Sequence, residues 1–113
     1  MRGILIKDGV QLDKLNDGGS RILNSLIKYS NSHDVTITIT SGNDGVHSGP
    51  NDPHHLGQAL DVRSKDWDMS TKKIFLDEIM DDLGWTKFYG FLESQGTDNE
   101  HFHFQVIKGG NYP

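Results

Sequence analysis

The sequence contains no cysteine, which excludes disulfides and thiolate metal sites, so any metal must be held by His, Asp or Glu. No basic run exists and the formal net charge is −5. Nucleic acid and anionic membranes are therefore not expected as partners, because phosphate binding needs clustered cations. No apolar run approaches the roughly 20 residues of a transmembrane helix, and the apolar part of "MRGILIKDGV" is too short for a signal peptide.

Hydrophobic residues are also scarce, at 34% of the chain. The length of 113 residues is nevertheless enough for one domain with one core. We predict a single domain over residues 1–113 and expect a monomer.

The spacing of apolar residues predicts an α+β domain. Leucines and isoleucines three and four apart predict a helix over 10–32, in which Gly18 and Gly19 mark either a break or the start. A second helix is predicted from an N-cap at Ser70 to a stop at Gly84. Strands are predicted at 34–40, 59–64, 85–92 and 101–107. This order favours an antiparallel sheet with helices packed mainly on one face.

Histidine is concentrated in two segments. Four of the six histidines lie in "DPHHLGQALDV", residues 52–62, and "EHFHF", residues 100–104. Side chains alternate along a strand, so His101 and His103 share one face while the phenylalanines between and after them share the other. The phenylalanines are expected in the core and the histidines along a cleft.

A carboxylate is expected beside these histidines. Asp61 lies between apolar Leu60 and Val62, which are predicted to face the core, so Asp61 faces the cleft. His54 or His55 precedes it in the loop. Two imidazoles and one carboxylate form a zinc set with an open fourth position, as catalytic sites require. If no further motif is considered, an ordinary amphipathic strand and solvent-exposed loop histidines explain the same residues.

Glu100 directly precedes the histidine strand. A glutamate beside an open zinc position can act as a proton acceptor. Its odd spacing from His103 places the two side chains on opposite faces of a flat strand, so both reach one site only if the strand begins, twists or bulges after Glu100. The turn-rich "GTDN" before it favours such a start.

Two motifs together resemble a family of zinc peptidases. "HHLGQALD", residues 54–61, matches His-x-x-Gly-x-Ala-x-Asp, and "EHFH", residues 100–103, matches Glu-x-aromatic-His. The chain thus resembles zinc D-alanyl-D-alanine carboxypeptidases and L-alanyl-D-glutamate endopeptidases, a group with VanX- and VanY-type enzymes and phage endolysins. Their fold set includes the hedgehog signalling domain. With "TITSG", residues 38–42, the resemblance spans roughly residues 12–107.

The resemblance implies roles for individual residues. His54, rather than His55, would hold zinc together with Asp61 and His103, and Glu100 would be the general base of amide hydrolysis. The substrate would be the peptide of bacterial peptidoglycan, and the setting a phage or prophage lysin made in the host cytoplasm and acting on the cell wall. His101 would orient the substrate or bind the developing oxyanion, unless it is simply an exposed strand residue.

The chain departs from the family at one place. Many members carry Tyr-Arg after the Ser-Gly that corresponds to Ser41 and Gly42, whereas this chain has Asn43 and Asp44. Arg63, two residues after Asp61 and so on the same strand face, is a candidate substitute, although it also fits a surface arginine. Ser41 is a further candidate for substrate contact.

Three hypotheses follow. The first is a peptidoglycan peptidase, which the retained Glu100 favours. The second is a zinc-binding module of the same fold without catalysis, which the missing Tyr-Arg favours. The third and weakest is a carbohydrate-binding module that stacks sugars on Trp67, Trp85 and Tyr89, although aromatic residues at such spacings are more often core.

Overall fold

The structure is a computed structural model that describes residues 2–43, 54 and 57–107. Seven elements follow one another along the chain. They are β1 (Gly3–Ile6), α1 (Asp17–His33), β2 (Thr36–Ser41), β3 (Ala59–Arg63), α2 (Met69–Leu83), β4 (Phe88–Glu93) and β5 (His101–Val106). The predicted α+β class is confirmed.

The five strands form one sheet in the order β1-β2-β3-β5-β4. The pairs β2–β3, β3–β5 and β5–β4 are antiparallel, but β1 runs parallel to β2. The prediction of an antiparallel sheet is therefore wrong, and the sheet is mixed. The sheet is mixed because β1, which the apolar pattern did not predict, pairs with β2 in parallel. The helix α1 carries the chain from the end of β1 back to the start of β2, as a parallel connection requires.

Both helices begin at capped ends. Asn16 caps α1 by accepting a hydrogen bond from the Gly19 N–H, at 3.0 Å from its side-chain oxygen. The two glycines therefore mark the start of this helix. Asp68 caps α2, so the prediction of Ser70 as the cap is wrong, because Asp68 Oδ1 already accepts from the Thr71 N–H at 2.7 Å. Gly84 ends α2 as predicted.

The core lies between the sheet and the two helices. Leu60 and Val62 of β3 and Phe102 and Phe104 of β5 are fully buried there, and Phe75 of α2 packs against both phenylalanines. Burying these apolar side chains is the main stabilising contribution available to a chain with few hydrophobic residues. Alternation along the strands then turns Asp61, His101 and His103 to the opposite face of the sheet, as predicted.

No helix within the described ranges is long and apolar enough to cross a membrane.

Candidate metal centre

Strand register brings two of the predicted ligands together. Asp61 of β3 and His103 of β5 are directly opposed across an antiparallel pair, which places neighbouring side chains on one face about 5 Å apart. His54 joins them from the loop before β3. One ligand atom of each residue lies within 4.8 Å of the other two, and the group is buried or half-buried. His55 and Asp44 lie outside the described residues.

Gly57 holds His54 in place. Its N–H donates to the His54 carbonyl at 3.1 Å, and its own carbonyl accepts from the Asn16 N–H at 3.0 Å. The φ angle of Gly57 is +73°, and a Cβ at this position would lie 1.9 Å from the Lys14 carbonyl oxygen. Only glycine permits this approach. Gly57 therefore allows the close backbone contact that positions His54.

The outer nitrogens of both histidines face oxygen acceptors. The Gly42 carbonyl oxygen lies 2.9 Å from His54 Nδ1, and Gln105 Oε1 lies 2.7 Å from His103 Nε2. The Gln105 amide is oriented by its own donation to the Val106 carbonyl at 3.1 Å. Because these oxygens only accept, each outer nitrogen carries the proton and donates it. This is the usual arrangement around histidines that bind metals.

The inner nitrogens of the same histidines converge on one carboxylate oxygen. His103 Nδ1 lies 2.8 Å and His54 Nε2 lies 3.2 Å from Asp61 Oδ1. With the outer nitrogens protonated, each inner nitrogen presents a lone pair to this oxygen unless a second proton or a cation lies between them. The donor set, two imidazoles and one carboxylate, therefore fits a metal ion.

Charges within the group support the same conclusion. Burial acts to raise the pKa of Asp61, but hydrogen bonds from His103 and His54 outweigh it and hold the pKa well below its usual range. Burial acts to lower the pKa of His103, yet Asp61 and Gln105 outweigh it and raise the pKa. The site thus favours positive charge beside Asp61, which a proton or a metal ion can supply.

The Glu100 carboxylate is bound by residues other than the three clustered side chains. The strand β5 begins at His101, directly after Glu100. A strand start here is one of the three conditions, with a twist or a bulge, under which Glu100 and His103 could reach one site. The Glu100 carboxylate, however, forms an ion pair with Lys72 of α2 and accepts from Ser64 Oγ at 2.7 Å and from the Gly96 N–H at 2.9 Å. Ser64 and Lys72 belong to the helix side of the sheet. These contacts, with Lys72 foremost, lower the pKa of Glu100 to about 2.

A groove of about 370 Å³ adjoins the group and is bordered by both Asp61 and Glu100. Ser41, Arg63 and His101 also line it, so the three candidate substrate contacts lie at one site. Ser41 is the β2 residue opposite Asp61. His101 Nδ1 lies 2.7 Å from the Asn99 carbonyl oxygen, and its Nε2 lies 3.5 Å from Asp61 Oδ2 and 3.4 Å from a Glu93 oxygen.

Asn43 is a structural residue. Its backbone N–H donates to the Gln11 carbonyl at 2.8 Å and its side-chain amide donates to Asp13 at 3.1 Å. Trp67 likewise packs against Phe75, with ring centroids 5.0 Å apart. Trp67 is half-buried and packs against the core cluster.

Sequence reasoning missed Gln105 and Lys72. Gln105 lies two residues after His103 and so on the same strand face, and this spacing could have revealed it. Lys72 meets Glu100 across 28 residues of sequence, and no local pattern reveals such a contact. The aromatic rings of Tyr89 and Phe91 also flank His103, with centroids at 6.5 and 5.4 Å.

The geometry thus defines a class of site, a buried two-histidine, one-carboxylate group that could hold a metal ion. Comparison with models of protein families, with curated proteins and with solved structures found no significant match.

Proposed function

We propose that the protein is a zinc peptidase that hydrolyses an amide bond in the peptide of bacterial peptidoglycan, as a phage-type L-alanyl-D-glutamate endopeptidase or D-alanyl-D-alanine carboxypeptidase. The observation that carries the proposal is the convergence of His54 Nε2 and His103 Nδ1 on Asp61 Oδ1, at 3.2 and 2.8 Å. The two sequence motifs that supply these residues support it.

The chemistry follows from the donor set. His54, Asp61 and His103 would hold the ion, and zinc bound by three protein ligands supplies a Lewis acid that polarises an amide carbonyl and acidifies water. Gln105 and the Gly42 carbonyl orient the two imidazoles by accepting from their outer N–H groups. The adjoining groove gives a peptide access to Asp61.

Glu100 is the proposed proton acceptor and must leave its present contacts to act. A carboxylate whose pKa is about 2 is a weak base, since efficient general bases have a pKa near the working pH. Release from Lys72 and Ser64 would raise this pKa and free the carboxylate to turn about the start of β5. Glu100 would then accept a proton from water and donate it to the leaving amine.

The test is hydrolysis of purified cell wall, before and after chelation and after return of zinc. New amino termini in the mass spectrum of the products, lost with chelator and restored by zinc, support the proposal. New reducing sugar ends without new amines contradict it. Defined muropeptides then assign the bond, because endopeptidase and carboxypeptidase products differ in mass.

A second function is favoured by the contacts of Glu100. Its bonds to Lys72, Ser64 and Gly96 are those expected if Glu100 ties α2 to the β4–β5 turn and takes no part in chemistry. The protein would then be a zinc-binding module of weak or no activity that binds cell wall or a protein partner. This alternative predicts that the protein sediments with purified cell wall only when zinc is present, and that no peptide is released. Such a result supports it.

A further inference from the structure

We infer that the groove beside the candidate metal centre selects peptides that carry a carboxylate, and that Lys7, Arg63 and Lys65 bind this carboxylate. The inference deepens the proposed function and rests on it for the peptide nature of the ligand. We call these three residues the basic rim.

The basic rim gathers three cations at one groove of an acidic chain. The formal net charge is −5, yet Lys7, Arg63 and Lys65 all line the cavity that Asp61 borders. Arg63 is two residues after Asp61 on the same face of β3, opposite His101 of β5. Lys7 follows β1 and is held against β2 by its N–H bond to the Ile39 carbonyl, at 3.0 Å.

None of the three rim cations forms an ion pair with an acidic residue within the described part of the chain. Three other cations there are used in ion pairs. Arg21 and Lys28 both bind Asp82, and Lys72 binds Glu100. The rim side chains are exposed, so their charges stay hydrated and available to a ligand.

The acids of the groove oppose the rim only weakly. Glu100 is paired with Lys72, and Asp61 lies against the inner ring nitrogens of His54 and His103. Asp98 also lines the groove and makes no ion pair within the described residues. The charges at the groove that have no ion-pair partner among the described residues therefore sum to a positive value, and a bound divalent ion would increase it. Such a field attracts an anionic ligand.

The two sides of the metal centre differ. The basic rim lies toward β1 and β3. The opposite side is formed by β4, where Tyr89 and Phe91 flank His103 and Glu93 approaches His101 to 3.4 Å. Aromatic rings and an acid do not favour a carboxylate. The asymmetry therefore orients the peptide with its carboxylate at the rim and an uncharged segment over β4.

The carboxylate can come from two places in a peptide, an acidic residue within it or its carboxyl terminus. The test measures binding by calorimetry with three versions of L-alanyl-γ-D-glutamyl-L-lysine on the zinc-loaded protein. One has both carboxylates free, one has the glutamate carboxylate amidated, and one has the terminus amidated. Each exposed ion pair contributes a factor of roughly 1.5 to 5 in affinity, and these factors multiply when one carboxylate meets several cations. Amidation of the recognised carboxylate is therefore expected to weaken binding about tenfold.

The variant Lys7→Gln/Arg63→Gln/Lys65→Gln should lose this preference. Its matched control is Arg2→Gln/Lys14→Gln/Lys73→Gln, which removes the same charge at exposed positions outside the groove and should keep it. Asp98→Asn should strengthen binding of the acidic peptide. The preference should shrink as salt rises from 0.05 to about 0.5 M, because screening weakens exposed ion pairs.

Equal binding of the three peptides overturns the inference. So does a preference that survives in the rim variant, because the metal alone then binds the carboxylate. Failure of the proposed peptidase function would give a different combination of binding and hydrolysis results. If the preference is present and depends on the rim but no peptide or cell wall is hydrolysed, the inference stands and the peptidase proposal fails.

Discussion

Gln105 Oε1 accepts a hydrogen bond from His103 Nε2 at 2.7 Å, and this contact directs the opposite nitrogen of the ring toward Asp61. Partners of this kind typically contribute 10- to 100-fold to metal affinity. We therefore expect Gln105→Leu to weaken zinc binding by about 10- to 100-fold, as measured by competition with a chromophoric chelator. Gln105→Glu, which keeps an acceptor, should bind zinc well. The control is Gln95→Leu at an exposed position, and parental affinity in Gln105→Leu would rule out the orienting role.

Each proposed ligand should be necessary for metal binding. His54→Ala, Asp61→Ala and His103→Ala should each bind less than one zinc per chain at micromolar concentrations, because a structural or catalytic zinc site needs at least three protein ligands. His33→Ala is the control, since His33 pairs with Glu78 at 2.8 Å on the helix side. Elemental analysis after gel filtration measures the metal. Loss of zinc in His55→Ala with retention in His54→Ala would mean that the wrong histidine is assigned.

Glu100 should be needed for hydrolysis but not for zinc. Glu100→Gln is expected to bind one zinc and to lose about 10²- to 10⁴-fold in rate, the usual contribution of a general base. Rates are measured by release of amino termini from cell wall. A Glu100→Gln protein with the parental rate would exclude the role, and one that loses its metal would make Glu100 a ligand.

Lys72 should restrain Glu100. Lys72→Met removes the largest contribution that lowers the pKa of Glu100, so the pKa should rise toward its ordinary value and the rate per bound zinc should increase. Lys73→Met is the control, because Lys73 is its exposed neighbour on α2. An unchanged rate and pH profile in Lys72→Met would favour a purely structural role for Glu100.

Stability of the metal-free protein should fall as the pH rises through neutrality. The pKa of His103 is raised in the folded state, so its protonated form contributes stability that is fully present below the unfolded value of about 6.5 and is lost above the folded value. Urea denaturation with chelator between pH 5 and 9 measures this. Zinc should reverse the trend, because protons compete with the metal for the same nitrogen at low pH. His103→Gln should flatten the metal-free profile, and a flat parental profile would contradict the assigned pKa shift.

Gly57→Ala should disturb both stability and the metal site. Strain at positive φ costs about 1–2 kcal/mol, and overlap with the Lys14 carbonyl adds an overpacking cost of about 1–3 kcal/mol. Gly9→Ala is the control, since Gly9 has φ +87° with nothing within 4 Å of an added Cβ. Thermal unfolding and zinc titration compare the two. Equal destabilisation, or parental zinc affinity in Gly57→Ala, would show that the close approach does not position His54.

Local patterns predicted most of the elements. Alternation of apolar and polar residues revealed β2 to β5, and helical spacing revealed α1, because these signals depend only on which face of an element is buried. Signals at its two ends revealed α2. The strand β1 was missed because "GILI" is short and lies apart from any alternating run. Its parallel pairing with β2 is a long-range contact, and it changed the sheet from antiparallel to mixed.

The amino-acid sequence by itself determined which side chains share a face. Asp61, His101 and His103 point away from the core because their strand neighbours Leu60 and Phe102 are apolar and must be buried. Period-two alternation requires no knowledge of the rest of the fold.

Tertiary structure decided which of these side chains meet, and with what partners. Strand register placed Asp61 opposite His103, and a glycine packed against a distant carbonyl brought His54 to them. The direction of the Glu100 carboxylate depended on Lys72, which a separate helix presents. Such contacts join residues far apart in the chain, and their geometry is set by packing of whole elements, which local sequence does not encode.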